Sequence, residues 1–304
     1  MAGTSGIKRP AGRRREVEYA GPMSDSLSDT VARALAEDLG GGDVTSEATV
    51  PEEARARARI VQKQAGVVFG LAAVAETMRQ CGVEDVDNLV VESQWRDEVP
   101  ADVLFAAGPA RGLLAAERTA LNFLGHLSGV ATLTARFVAA TAGTGAAILD
   151  TRKTTPGLRG LEKAAVLAGG GRNHRIGLYD AILIKENHIA MAGSLVKAVY
   201  GARKAHPGLE VEVECRNLDE VSYALGIGAD RLLLDNMDTD TLREAVRLRD
   251  ENSSAAGGPS LEASGGVDLE TVGAIAATGI DLISVGALTH SAPSLDFSLL
   301  IEAA

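Results

Sequence analysis

Aromatic side chains make up only 3% of the 304 residues, so Ala, Val and Leu must fill the core of a chain that is 46% apolar. That composition suits Val/Ile/Leu strands buried on both faces, with Ala/Leu helices laid over them. Cysteine is equally scarce. Cys81 and Cys215 lie 134 residues apart without CxxC spacing. That pattern is neither a disulfide framework nor a cysteine-based zinc site, and with no signal peptide read upstream it leads us to expect a reducing, cytoplasmic compartment. Positive charge is outnumbered, 30 basic residues against 41 acidic, for a net charge of −11. A global basic footprint for nucleic acid is therefore missing, and an anionic ligand has to be captured by a local basic site working against the overall field. Long hydrophobic runs are missing too. The longest uncharged stretch, Thr119 to Ala135, is interrupted by Asn122, Gly125, His126 and Ser128. It is expected to form core helices, not a membrane span. The chain has no GxSxG, Walker or dinucleotide glycine fingerprint. His174, His188 and His290 lack metal-ligand spacing, so zinc is not expected.

Residues 1–23 are rich in Gly, Arg and Ser, include Arg13-Arg14-Arg15, and show no apolar periodicity. They are expected to be a disordered tail, with a basic nucleic-acid arm as the weaker alternative. Helical spacing then runs Leu27, Val31, Leu35, Leu39 and stops at Gly40-Gly41-Gly42. Strands are predicted at Arg55–Gln62, Asn88–Gln94 and Asp102–Ala106, and helices at Ala72–Cys81, Gly112–Leu124 and Ser128–Ala140. This order predicts a compact α+β domain with an open sheet over 24–134. After residue 145 the rhythm changes. Apolar runs recur at Ala146–Leu149, Ala181–Ile184, Val211–Val213, Arg231–Leu234, Ser260–Leu261 and Leu282–Val285, separated by helical segments. Alternating β and α implies parallel strands with right-handed crossovers. Six such units over 135–291 are read as a closed α/β barrel short of eight strands in preference to a doubly wound sheet. Residues 292–304 are a C-terminal segment expected to pack back on the first domain.

In such barrels the site forms at the C-terminal ends of the strands. The predicted strands end in Asp150-Thr151-Arg152-Lys153-Thr154, Lys185-Glu186-Asn187-His188, Glu214, Asp235-Asn236, Glu262-Ala263-Ser264-Gly265-Gly266 and Ser284-Val285-Gly286. Polar groups abutting buried strands are costly unless they are used. Paired glycine turns after the last two strands, each read as opening a helix, point to a phosphate cradle. Between Asp150 and Glu186 seven Lys or Arg residues face four acidic ones, reversing the overall balance. Arg152 with Lys153, and His174 with Arg175, could clamp a polycarboxylate, the bland alternative being a solvated basic loop. Glu214 and Asp235, on neighbouring strands, could hold Mg²⁺ through water or stabilise positive charge on a sugar carbon. Structural pairing with Arg152 or Lys185 is the rival.

From about residue 27 to its end the chain resembles the quinolinate phosphoribosyltransferases. The resemblance rests on Glu37-Asp38-Leu39-Gly40, Gly42-Asp43-Val44-Thr45, Glu117-Arg118-Thr119-Ala120-Leu121-Asn122, Asp150 through Arg159, and Gly169-Gly170-Gly171 with His174-Arg175. It continues through Leu183-Ile184-Lys185-Glu186-Asn187-His188, Val211-Glu212-Val213-Glu214, Leu234-Asp235-Asn236, Ser264-Gly265-Gly266 and Val285 through Ser291. The chain departs from the family pattern at Gln94 to Pro100 and shows a short insertion at Asn252 to Pro259.

The resemblance implies transfer of phosphoribosyl from phosphoribosyl pyrophosphate to quinolinate with decarboxylation, giving nicotinate mononucleotide, pyrophosphate and CO₂. It also implies an N-terminal open α/β sandwich domain followed by a six-stranded incomplete α/β barrel, Mg²⁺ as cofactor and a homodimer with a shared active site, without nucleic-acid or membrane partners. Arg118 of one subunit would join Arg152, His174, Arg175 and Lys185 of the other around the quinolinate carboxylates, with Thr151 and Lys153 lining the pocket. Glu214 and Asp235 would face the ribose and metal. Ser264, Gly265, Gly266, Val285 and Gly286 would hold the 5-phosphate, and Lys153, Lys185, Glu214 and Asp235 would be the catalytic set. The rivals are a related pyrophosphorylase using another acid, a Schiff-base aldolase through Lys185, and a non-catalytic phosphosugar sensor.

Overall fold

The computed structural model describes residues 26–252 and 258–304. The tail expected at 1–23 and most of the insertion at 252–259 lie outside the described residues. Helix α1 (Leu27–Leu39) starts at a capping box. The Asp29 N–H donates to the Ser26 hydroxyl at 3.2 Å, and the Ser26 N–H donates back to the Asp29 carboxylate at 3.3 Å. Helix α2 (Val44–Thr49) is capped by Asp43. Strand β1 (Arg55–Gln62) buries Ala56, Ala58, Ile60 and Gln62 on alternate positions, the period-two pattern of a sheet with one face covered. Then come β2 (Gly66–Val67), α3 (Leu71–Gln80), β3 (Asp85–Asn88), β4 (Trp95–Arg96) and β5 (Ala101–Pro109).

The strand predicted at Asn88–Gln94 ends at Asn88, apart from one further bond from the Leu89 N–H to the Val103 carbonyl at 3.0 Å. The Glu92 carboxylate turns away to accept the N–H groups of Gly70 and Leu71, at 2.6 and 2.7 Å, where α3 begins. Ser93 takes φ 67°, which breaks the pleat. The short strand β4 then pairs with β2, Gly66 opposite Arg96 and Val67 opposite Trp95.

The two helices predicted at Gly112–Leu124 and Ser128–Ala140 are one, α4 (Ala110–Ala140). Gly125 had suggested a break, but it marks a close approach. A Cβ at Gly125 would lie 3.0 Å from the Leu295 carbonyl, and one at Gly129 would lie 2.2 Å from the Pro293 carbonyl. Leu113, Ala116, Ala120 and Leu124 pack into the first core with Ile60 and Leu104, whereas Val130, Ala131 and Phe137 pack into the second. Position 134/135 therefore falls inside a continuous helix that serves both cores. Among the described residues α4 alone is long and apolar enough to cross a membrane, and most of its apolar window is buried inside the protein.

The second unit runs β6 (Ala147–Leu149), α5 (Arg159–Ala168), β7 (Ile182–Ile184), α6 (Glu186–Ala192), α7 (Leu195–Ala205), β8 (Val211–Cys215), α8 (Leu218–Gly226), β9 (Arg231–Asp235), α9 (Thr239–Asn252), β10 (Ser260–Ser264), α10 (Val272–Ala276), β11 (Leu282–Ser284) and α11 (Ala287–His290). Its six strands pair in parallel in the order β6-β11-β10-β9-β8-β7. The first and second strands stand at opposite edges, so the barrel is incomplete, open between β6 and β7. On the β6 side of this opening the chain around Arg172 makes a single parallel bridge to Leu149. The last strand, β12 (Phe297–Ala303), returns to the first unit and pairs antiparallel with β1, completing a sheet in the order β12-β1-β5-β3.

Candidate active site

Strand alternation sorts the barrel's side chains into two sets. Val211, Val213, Cys215, Leu232, Leu234, Leu261, Ala263, Ile283 and Val285 belong to the apolar core packed against the helices. Their neighbours face the barrel interior: Lys185, Glu212, Glu214, Arg231, Asp235, Glu262, Ser264 and Ser284. An α/β barrel interior is ordinarily filled by branched apolar residues. This one is ionic.

At the mouth, the ends of β7 and β8 bring Lys185 and Glu214 into an ion pair. At the end of β9, the Asn236 side chain donates to Asp235 at 2.8 Å, and the Asn236 N–H donates to the Ser264 carbonyl at 2.8 Å. Gly265 packs directly on that asparagine. Its φ is 99°, and a Cβ there would lie 2.1 Å from Asn236 Oδ1, so only glycine fits this turn. On the other side, the Lys153 N–H donates to the Thr151 hydroxyl at 3.1 Å, and the Thr289 hydroxyl donates to the Lys153 carbonyl at 2.7 Å. The Lys153 side chain lies over Gly286, where a Cβ would come within 3.2 Å of it. Val285 joins the same seam through its N–H to the Leu149 carbonyl, 2.9 Å. One of the two expected helix starts is absent. Gly286 directly precedes α11, but after Gly265-Gly266 the chain makes a turn around Asp268, which accepts the Thr271 N–H at 2.8 Å, and α10 begins only at Val272.

Arg152 and Arg175 are both half-buried. Burial, followed by the Arg152 charge, lowers the Arg175 pKa. The Arg152 Nε–H is buried without a partner among the described residues. Two guanidinium groups whose charges act on each other, one with an unused donor, offer the charge and hydrogen bonds that an anion takes.

His174 lies deeper than the clamp expected from sequence. It is 8% exposed, its Nε2 lies 3.1 Å from Glu212 and 3.5 Å from Glu262, and its Nδ1 accepts the Arg175 N–H at 2.7 Å. Burial works to lower the imidazole pKa, but the Glu212 hydrogen bond and the charges of Glu262 and Glu212 outweigh it and raise it. Arg231 closes the cluster from below, 3.3 Å from Glu262 and 3.1 Å from Glu210. Lys163, counted in the basic stretch, is not at the mouth. Its ammonium is buried against Asp150 at 2.5 Å and donates to the His174 carbonyl at 2.9 Å, while Asp150 accepts the His174 N–H at 2.9 Å. Burial pushes the Asp150 carboxyl up to about 6 and the Lys163 ammonium down. Arg118 is exposed on α4. It borders a cleft of about 290 Å³ with Asn122, Ser294 and Asp296, and within one chain it does not meet the barrel cluster.

Sequence reasoning missed Glu212, Arg231 and the role of Lys163, and it took Glu262 for a strand-end residue. One signal was present. Glu212 stands two residues before Glu214 on a strand, so both face the same side.

The quinolinate phosphoribosyl transferase family matches in two parts, its N-terminal domain over residues 43–128 and its C-terminal domain over residues 130–300. The chain belongs to the quinolinate phosphoribosyltransferase family. It is 43% identical to the nicotinate-nucleotide pyrophosphorylase [carboxylating] of Mycobacterium leprae, a match spanning 90% of this chain and 97% of that one. It is 42% identical to the probable enzyme of the same name from Bacillus subtilis, over 86% of this chain and 89% of the relative. The nicotinate-nucleotide pyrophosphorylase structure from Francisella tularensis superposes with a TM-score of 0.86 at 38% identity, covering 95% of this chain and all of the other. Arg118 falls in the family's N-terminal domain, and the remaining site residues fall in its C-terminal domain.

Proposed function

We propose that this chain transfers phosphoribosyl from phosphoribosyl pyrophosphate to quinolinate with loss of CO₂, giving nicotinate mononucleotide and pyrophosphate. The observation that carries this reading is the unpartnered Arg152 donor beside Arg175, one barrel mouth away from the Lys185–Glu214 pair and the glycine turns. In this reading Arg152, Arg175 and Lys185 neutralise a dicarboxylate and aim its ring nitrogen at the ribose anomeric carbon. The Ser264-Gly265-Gly266 turn and Val285-Gly286 hold the 5-phosphate, and Lys153, which lies over Gly286, faces the departing pyrophosphate. As the N–C bond forms and the C–O bond to pyrophosphate breaks, Glu214 and Asp235 stabilise the positive sugar carbon. The ring nitrogen is then cationic, so the adjacent carboxylate leaves as CO₂, its bonding electrons pass to the ring, and that carbon takes up a proton.

The donor chemistry at the mouth fits Mg²⁺. Glu214 and Asp235 offer oxygen ligands from adjacent parallel strands, as a hard cation held through water requires. When bound, the metal would neutralise pyrophosphate charge. The exposed position of Arg118 beside an open cleft supports a homodimer in which it completes the partner's site. Two free cysteines, one of them buried, support a reducing cytoplasmic setting.

The test is release of CO₂ and pyrophosphate on mixing the protein, Mg²⁺ and phosphoribosyl pyrophosphate with quinolinate, with nicotinate as control. Equal product from nicotinate would point to the related pyrophosphorylase, and no product from either acid would overturn the reading.

A further inference from the structure

The ionic cluster below the mouth touches none of the groups that face the sugar or its phosphates, and the mechanism above makes no use of it. Two glutamates, Glu212 at 2% exposure and Glu262 at 0%, stand on β8 and β10 with His174 between them. Placing two carboxylates side by side in a buried barrel is costly, and among the described residues the charges of Arg231, 3.3 Å from Glu262, and of Arg175, acting on Glu212, offset it. Branched apolar residues would fill the same volume without that cost. The contact of Glu212 with His174 is directional, since it accepts from Nε2 at 3.1 Å, whereas the Glu262 oxygen 3.5 Å away makes no hydrogen bond and acts on the ring by its charge. Because Nδ1 accepts the Arg175 N–H, the ring proton must sit on Nε2, and Nε2 faces the two glutamates. From the other side, Asp150 accepts the His174 N–H and Lys163 donates to its carbonyl. Backbone and ring of one residue are therefore gripped from two directions, and the next residue in the chain is Arg175.

We propose that Glu212 and Glu262 are positioning residues that lock the His174 ring as the Nε2–H tautomer, and through its Nδ1 fix Arg175 in the attitude that grips the acidic substrate. The inference rests on the proposed function for the identity of that substrate, but the state of the ring does not depend on it. The amide Glu262→Gln keeps volume and an acceptor, while Glu212→Gln removes the nearer charge. Each folded variant is expected to raise the quinolinate Kd about tenfold while the phosphoribosyl pyrophosphate Kd stays within about twofold, and to raise KM for quinolinate more than it lowers kcat. Long-range ¹H–¹⁵N spectra of the full chain, with His174→Gln for assignment, should show His174 protonated on Nε2 in the parent protein and a shifted or mixed ring state in the variants. Quinolinate binding within twofold of the parent in folded variants, or equal loss for both substrates, would overturn the inference. So would a parent His174 carrying its proton on Nδ1, a measurement that stands even where a variant fails to fold. A parent protein that shows the Nε2 tautomer but never binds quinolinate would overturn the proposed function instead.

Discussion

Arg152 shows how a single residue acquires a role from its surroundings. Its Nε–H is buried and unused among the described residues, and its charge acts on the guanidinium of Arg175. Such a group has no structural reason to persist, since an uncompensated buried donor costs about 1–3 kcal/mol. Arg152→Ala is therefore expected to weaken quinolinate binding about 100-fold, about 2.7 kcal/mol, and phosphoribosyl pyrophosphate binding less than about threefold. Calorimetric titration with each ligand decides it, and equal losses would contradict the assignment. Glu262 gives a pH prediction. Burial, followed by the Glu212 charge, pushes its carboxyl from 4.5 up to about 7. A folded-state pKa above the unfolded one means that folding takes up a proton, so this group's contribution to stability is full below about pH 4.5 and is lost as the pH rises through about 7. Glu262→Gln is neutral at every pH. Its Tm relative to the parent should rise between pH 5 and pH 8, and thermal unfolding with an unchanged difference would refute this. At this scale the mouth residues were legible because each follows an apolar run directly. The cluster beneath was not, because nothing in the run Arg231-Leu232-Leu233-Leu234 distinguishes a charge at the start of a solvent-facing strand from one aimed into a barrel.

Among the elements, α4 carries the sharpest contrast between local propensity and packing. A glycine inside a helix costs up to about 1 kcal/mol relative to alanine, so Gly129→Ala should stabilise an isolated helix. Here the added Cβ would lie 2.2 Å from the Pro293 carbonyl and 3.1 Å from the Ser294 Cα, and backbone atoms cannot yield as a side chain can. The substitution is expected to destabilise the protein by about 1–3 kcal/mol, read as a lower denaturation midpoint in urea. A neutral or stabilising result would mean that the crossing segment moves freely. Gly125 lies in the gap where sequence reasoning split the helix. It looks like punctuation until the chain that crosses it is known, and that chain is more than 160 residues further on. Strand β3 failed in the opposite sense. Its apolar continuation was visible, but the competing demand of the α3 N-terminus for the Glu92 carboxylate was not. Barrel strands, short and bounded by glycine or charge, were legible within a residue or two, except β10, which runs three residues past the predicted Leu261, because their outward faces are apolar whatever their inward faces do.

For the whole molecule, the decisive arrangement is the distance of Arg118 from the barrel mouth of its own chain. If the partner supplies it, Arg118→Ala and Lys185→Ala subunits are each inactive, but a mixed dimer retains one site with both groups intact. Random exchange of equal amounts gives about half mixed dimers with one working site of two, so activity should recover to about a quarter of the parent level. A rate that stays at the level of the separate variants after subunit exchange would rule out the shared site. The strand pairing of Phe297–Ala303 with Arg55–Gln62 has a consequence of a different kind. A ribosome delivers the chain in order, and the first domain's sheet lacks an edge strand until the entire barrel has been made. The barrel's strands need no such late arrival, since all six are adjacent in the stretch from residue 147 to 284. The portion synthesised first is thus the portion finished last, and until then β1 presents an open edge able to pair with another chain.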